Sequence, residues 1–141
     1  MLPNRTVLVL EDEPLLAMAI EDVVRELGLT PRIVARLEEG LELARLADLG
    51  AAVVDIRLHG EATEELVRIL RARGIPFAVS TCSNQPRLPE AFSDAPVLRK
   101  PYPDGELRDV LTGFFNRSSS SATGRRARET DSGSNAELEF G

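Results

Sequence analysis

Ala51 to Val54 form an uninterrupted apolar run that stops at Asp55. A short apolar run without alternation suits a strand covered on both faces, as in a parallel sheet. A carboxylate at the carboxyl end of such a strand lies at the edge where open α/β sheets bind ligands. The alternative is an aspartate that caps the following turn. Other strands follow the same pattern. Residues 6–10, 31–35, 76–80 and 97–99 are short apolar segments, and helical patterns separate most of them. Pro14 opens the first of these, with Leu16, Ile20, Val23 and Leu27 on one face and Gly28 as the stop. Leu37, Leu41, Ala44 and Ala47 mark a second helix, closed by Gly50. A third spans Thr63 to Arg73, with Ala62, Leu66, Ile69 and Leu70 as its stripe and Gly74 at its end. The last, Asp104 to Phe115, turns Leu107, Val110, Leu111 and Phe114 inward. Between the fourth and fifth strands, Pro86, Pro89 and Pro96 leave room for a turn or two of helix near Pro89 to Phe92. Strands alternating with helices at this spacing predict an α/β domain with right-handed crossovers and a parallel sheet covered on both faces.

Composition narrows the function. The chain has 141 residues, 43% of them hydrophobic, enough for one domain with a real core. Its net charge of −6 argues against a general nucleic-acid or anionic-membrane binder. A single cysteine, Cys82, excludes an internal disulfide and a multi-cysteine metal site, and is read as a small apolar filler beside the candidate site. No apolar run reaches the ~20 residues of a membrane span, and the acidic trio Glu11-Asp12-Glu13 cuts the first apolar run too short for a signal peptide. The expectation is a cytoplasmic protein. From Arg117 onward the sequence is rich in Ser, Gly and Arg and poor in apolar residues. The predicted division is therefore a folded domain over 1–116 and a disordered tail over 117–141.

The chemistry-bearing residues stand at strand ends: Glu11 and Asp12 after the first, Asp55 after the third, Thr81 after the fourth and Lys100 after the fifth. In a parallel sheet these ends share one edge. Lys100 is the lone lysine among 17 basic residues, which suggests a place that wants a compact ammonium and not a planar fork. Crowded carboxylates repel, and a divalent cation relieves that repulsion. Hard oxygen ligands describe Mg²⁺, not zinc. With the ion bound, one carboxylate can attack a phosphoryl group and form an acyl phosphate, with a nearby ammonium and hydroxyl to hold the transferred oxygens.

These residues resemble the receiver domain of two-component response regulators over about residues 5–116. Four segments carry the resemblance: Val-Leu-Val-Leu-Glu11-Asp12-Glu13-Pro, Val-Val-Asp55-Ile-Arg-Leu, Ser80-Thr81 and Val-Leu-Arg-Lys100-Pro101. The resemblance implies a flavodoxin-like (βα)₅ fold, doubly wound with strand order 2-1-3-4-5. It implies a phosphoacceptor Asp55, served by a sensor histidine kinase or histidine phosphotransfer protein. It assigns Mg²⁺ to Glu11, Asp12, Asp55 and the backbone carbonyl of Arg57, phosphate sensing to Thr81 and phosphate binding to Lys100. It also implies a cis bond between Lys100 and Pro101. One position departs from the pattern: Val97 stands where receivers carry an aromatic residue that reports phosphorylation. Readout through the 82–96 loop is the expectation that follows. No output-domain pattern follows residue 116, so the sequence reads as a stand-alone receiver that signals by binding a downstream protein or by onward phosphotransfer, without turnover of a separate substrate. His59 and Arg57 read as loop residues, Arg57 facing solvent.

Three other readings compete. A receiver-like scaffold that works without phosphorylation has no need of clustered carboxylates. A haloacid-dehalogenase-type Mg²⁺-dependent phosphohydrolase places its nucleophile after the first strand in an Asp-x-Asp pattern, where this chain has Glu11-Asp12-Glu13. A flavodoxin-like cofactor binder needs a phosphate loop after the first strand, where the acidic trio repels phosphate.

Overall fold

The apolar runs become five parallel strands, and both of their faces are covered. The computed structural model describes residues 4–82 and 88–122. In chain order the elements are β1 (Thr6–Leu10), α1 (Pro14–Glu26), β2 (Thr30–Val34), α2 (Leu37–Leu46), β3 (Ala51–Asp55), β4 (Arg57–Leu58), β5 (Glu61–Ala62), α3 (Glu64–Ala72), β6 (Phe77–Cys82), a single 3₁₀ turn (Glu90–Phe92), β7 (Val97–Lys100) and α4 (Asp104–Ala122). The main sheet runs β2-β1-β3-β6-β7, all parallel. Counting only its five strands, this is the order 2-1-3-4-5 of a flavodoxin-like doubly wound sheet.

Strand alternation divides the core in two. Leu8, Leu10, Ala52, Val54 and Val79 face α2, α3 and the 3₁₀ turn, where they meet Leu58, Leu66, Leu70 and Phe92. Val7, Val9, Val53, Ala78 and Leu98 face α1 and α4, against Ile20, Val23, Leu107, Leu111 and Phe114. A strand that must be apolar on both faces cannot alternate, which is why these segments read as continuous runs. The chain moves from β1 to β2 on one side and then from β3 outward on the other. The carboxyl ends of β1 and β3 therefore flank the switch point, where this class of sheet opens a crevice.

Four local expectations need correction. The segment after Asp55 folds back as a small antiparallel hairpin, β4 with β5, its turn made by His59 at φ 50 and Gly60 at φ 80. Ala62 belongs to that hairpin and is exposed, so it is not part of the α3 stripe. Strand β6 continues to Cys82, and Cys82, read as an apolar filler beside the site, is exposed on the cleft that Asp55 lines. Helix α4 runs to Ala122 through the boundary set at residue 116. Extending an existing helix costs little where neither Gly nor Pro intervenes, and Arg117 to Ala122 contain neither. The rest of the tail expected to be disordered, 123–141, lies outside the described residues, as do 83–87 of the loop expected to read out the signal.

Two glycines show how tightly the layers close. A Cβ on Gly50 would run into the backbone carbonyl of Asn4 and come 2.9 Å from the Phe115 ring. Gly113, within α4, has nothing within 4 Å of the same position. Gly50→Ala is expected to cost about 1–3 kcal/mol, because a backbone carbonyl cannot rotate out of the way. Gly113→Ala is expected to add up to about 1 kcal/mol through helix propensity. Urea unfolding of the two variants beside wild type checks both signs.

Candidate functional site

The site is assembled by the ends of three strands. Glu11 follows β1, and its N–H donates to the Val34 carbonyl at 3.1 Å, which ties the loop to β2. Asp55 closes β3, and Lys100 closes β7. β7 and β3 are separated by β6, so the lysine side chain has to reach across one strand to meet Asp55. It does so with its Nζ 2.9 Å from Asp55 Oδ2 and 3.2 Å from Glu11 Oε1. A slender stem and a compact ammonium suit that passage. Glu11 and Asp55 are buried, at 2% and 7% exposure. The Lys100–Pro101 peptide bond is cis.

Asp12 stands on the open side of this pair. Its Oδ2 accepts a hydrogen bond from the backbone N–H of His59 at 2.8 Å, joining the β1 end to the tip of the hairpin. One oxygen from each of Glu11, Asp12 and Asp55 lies within 4.8 Å of the others. Glu11 Oε2 accepts the N–H of Glu13 at 3.1 Å, while Glu11 Oε1 is buried with no hydrogen-bond partner, although Nζ is at ion-pair distance.

Burial pushes the Glu11 and Asp55 carboxyls above their ordinary range. The charge of Asp55 adds to the rise at Glu11, and Lys100 offsets part of it at both. Burial alone pulls Lys100 down, but the hydrogen bond and charge of Asp55, with the charge of Glu11, leave it raised overall. The Tyr102 hydroxyl is buried without a partner and is pushed up to about 12, by burial first and then by the charge of Glu11. One ammonium thus faces more negative charge than it can neutralise. The donor set fits a hard divalent cation: three carboxylates in reach of one centre, one of them with an unfilled buried acceptor.

Two clefts that share Cys82 open at the carboxyl edge of the sheet. One, of about 200 Å³, is lined by Asp55, Arg57, Glu64, Thr81, Cys82 and Phe92 among others. Thr81 is buried at the end of β6 and sits on this wall. The other cleft holds Lys100, with Glu13, Leu16 and Tyr102. Thr81 thus shares a cleft lining with Asp55, and the Lys100 ammonium contacts the Asp55 carboxylate. The structure brings together Glu11, Asp12, Asp55 and Lys100 and places Thr81 beside Asp55. Arg57 is exposed and folds its guanidinium onto the Gly60 carbonyl at 2.9 Å. Val97 is half-buried against the α3-side core.

The fold recurs in solved structures. SdrG from Sphingomonas melonis is similar at 32% identity, over 82% of this chain and 99% of that one, with a TM-score of 0.71. The receiver domain of the response regulator PhyR from Erythrobacter litoralis matches at 25% identity, over 81% and 92%, with a TM-score of 0.66. The chain belongs to the receiver-domain family of response regulators. A third receiver, from a sensor histidine kinase of Pseudomonas aeruginosa, was solved with magnesium coordinated in its active-site cleft; it is 25% identical over 80% and 98%, with a TM-score of 0.68. No protein-family model and no curated protein sequence matches the chain.

As a receiver, the chain holds features that strand-end reading did not single out. Thr63, fully buried, bonds back to the carbonyls after β3. The Ser80 hydroxyl is buried without a partner. The amide of His59 holds Asp12. Thr63 left a sequence signal, a hydroxyl just ahead of Glu64-Glu65 that reads as an ordinary helix start, and Ser80 entered only as part of the Ser80-Thr81 segment.

Lys100→Met tests the charge balance. Because the folded pKa values of Glu11 and Asp55 are raised, their charged forms oppose folding, and that cost grows as pH rises through those values. Without the ammonium the cost is larger. Chelator-treated Lys100→Met is expected to lose about 1–3 kcal/mol at about pH 8, discounted for the partial exposure of Lys100, and less at about pH 5. Equal losses at the two pH values in urea unfolding would refute the assignment.

Proposed function

We propose that this receiver accepts a phosphoryl group on Asp55 and signals through the change. The observation that carries the reading is the ammonium of Lys100 at 2.9 Å from the Asp55 carboxylate, inside a set of three carboxylates within 4.8 Å. No separate substrate is turned over; the domain catalyses a reaction on its own side chain.

The donor is a phosphohistidine of a sensor histidine kinase or of a histidine phosphotransfer protein. An Asp55 oxygen forms the new P–O bond, the P–N bond of the donor breaks, and its electron pair leaves on the imidazole nitrogen, which takes up a proton. Glu11, Asp12, Asp55 and the backbone carbonyl of Arg57 hold Mg²⁺. The ion supplies charge neutralisation for the phosphoryl oxygens. Lys100 moves from carboxylate to phosphoryl oxygen as the Asp55 carboxylate becomes an acyl phosphate, a mixed anhydride, and so keeps a charged partner. Thr81, on the wall of the Asp55 cleft, donates its hydroxyl to a phosphoryl oxygen. The output is binding of a downstream protein or onward phosphotransfer. The protein acts in the cytoplasm, in keeping with the absence among the described residues of any helix long and apolar enough to cross a membrane.

Incubation with acetyl phosphate and Mg²⁺, followed by intact-mass measurement, tests this. A single phosphoryl gain is expected, abolished by chelator and by Asp55→Asn. No gain from the small donor or from a panel of histidine kinases would favour a phosphorylation-independent scaffold instead. Mg²⁺ alone is expected to raise the melting temperature by a few degrees, since it binds the folded state and relieves the carboxylate repulsion. No rise at millimolar Mg²⁺ would count against the metal assignment.

A further inference from the structure

We propose that Thr63 is a positioning residue for the phosphoacceptor loop: its buried hydroxyl fixes the two peptide planes that link Asp55 to Arg57, and thereby the geometry of the metal site. The inference rests on the metal assignment above and adds a residue that no strand end supplies.

Thr63 is fully buried at the start of α3. Its Oγ1 lies 2.7 Å from the Asp55 carbonyl oxygen and 2.9 Å from the Ile56 carbonyl oxygen. A hydroxyl has one hydrogen, so that hydrogen is shared between two acceptors. The Thr63 N–H also donates to the Ile56 carbonyl, at 3.1 Å. A threonine ahead of a helix ordinarily turns its oxygen onto the first free N–H groups of that helix. Thr63 makes no such side-chain cap. Its hydroxyl is directed backwards, to the loop.

The two peptide planes are held at their other edges as well. The Asp55–Ile56 unit gives its carbonyl to Thr63 and its N–H to the Ser80 carbonyl at 3.0 Å. The Ile56–Arg57 unit gives its carbonyl to Thr63, and its N–H, that of Arg57, lies by the Asp55 carboxylate and favours its charged form. Fixing the plane after Asp55 fixes the direction in which its side chain leaves the backbone. Fixing the next plane sets where the Arg57 carbonyl begins. A carbonyl ligand on a loop is otherwise free to turn away, and groups that orient ligands typically matter ten- to a hundredfold in metal affinity or activity.

The test compares Mg²⁺ affinity by calorimetry in wild type, Thr63→Val, Thr63→Ser and Ile20→Val, each confirmed folded by circular dichroism at the assay temperature. Thr63→Val keeps the shape and loses the hydroxyl; its Mg²⁺ Kd is expected to rise about 10–100-fold. Thr63→Ser restores the donor and should return to within about threefold of wild type. Ile20→Val thins the core on the other face of the sheet and should leave the affinity unchanged. Should Thr63→Val fail to fold, Thr63→Cys replaces it, with a weak donor of similar shape and an intermediate loss. Wild-type affinity in a folded Thr63→Val or Thr63→Cys would overturn the inference while leaving the phosphoacceptor reading intact. An equal loss in Ile20→Val would overturn it as well, since the effect would then be one of stability. If wild type itself binds no Mg²⁺, the metal assignment fails first and carries this inference with it.

Discussion

Two buried carboxylates share one ammonium at the carboxyl edge of the sheet, and the surrounding structure serves that arrangement. Taking Glu11 and Asp55 out of water disfavours their charged forms, which is the largest influence on both. Lys100 compensates only in part, because it is one positive charge against two buried negative ones with Asp12 beside them. A core designed only for stability would replace such a group with apolar side chains, since desolvation commonly matches or exceeds what a buried pair returns. The deficit fits the metal proposed for the site, since a divalent cation held by these carboxylates would supply the missing positive charge.

The parallel sheet makes the deficit tolerable. With apolar layers on both faces, its strands carry most of the stabilising burial below the site, through residues such as Leu8, Val54, Val79 and Phe92 on one side and Val7, Val53, Leu98 and Leu111 on the other. The carboxyl edge is then free to hold groups that do not help folding. The switch point between β1 and β3 decides which ends become neighbours. β2 ends on the far side of β1 and contributes backbone, through the Val34 carbonyl, but no charged ligand.

The fourth connection shows another economy. Where the other connections carry full helices, the described residues of this one hold one 3₁₀ turn, whose Phe92 is fully buried in the core. The prolines around it limit helix length, and a large aromatic side chain brings much apolar area in a single residue. The same Phe92 forms part of the cleft that opens on Asp55 and Thr81, so the core plug is also a wall of the site.

Glu11, Asp12, Asp55, Thr81 and Lys100 stood out in the sequence because each lies at or just past the end of a short strand-like segment, and segment ends are a local property. The fold class was legible for the same reason: period and length of apolar segments are set by which faces need cover. Other features were not. Thr63 reads as a helix start, yet it bonds backwards to carbonyls eight and seven positions earlier. The hairpin tip at His59 meets Asp12 across 47 positions. Cys82 looked like filler and is exposed, because β6 runs on past the edge of the core. The sequence alone determined which elements form and which chemical groups stand at their ends, since short-range periodicity encodes burial. The tertiary structure decided which of those groups share a charge, which hydroxyl turns towards the loop and which backbone amide holds a carboxylate. Those choices depend on the direction of donors and acceptors from segments distant in sequence, and only the packed sheet brings them within hydrogen-bond reach.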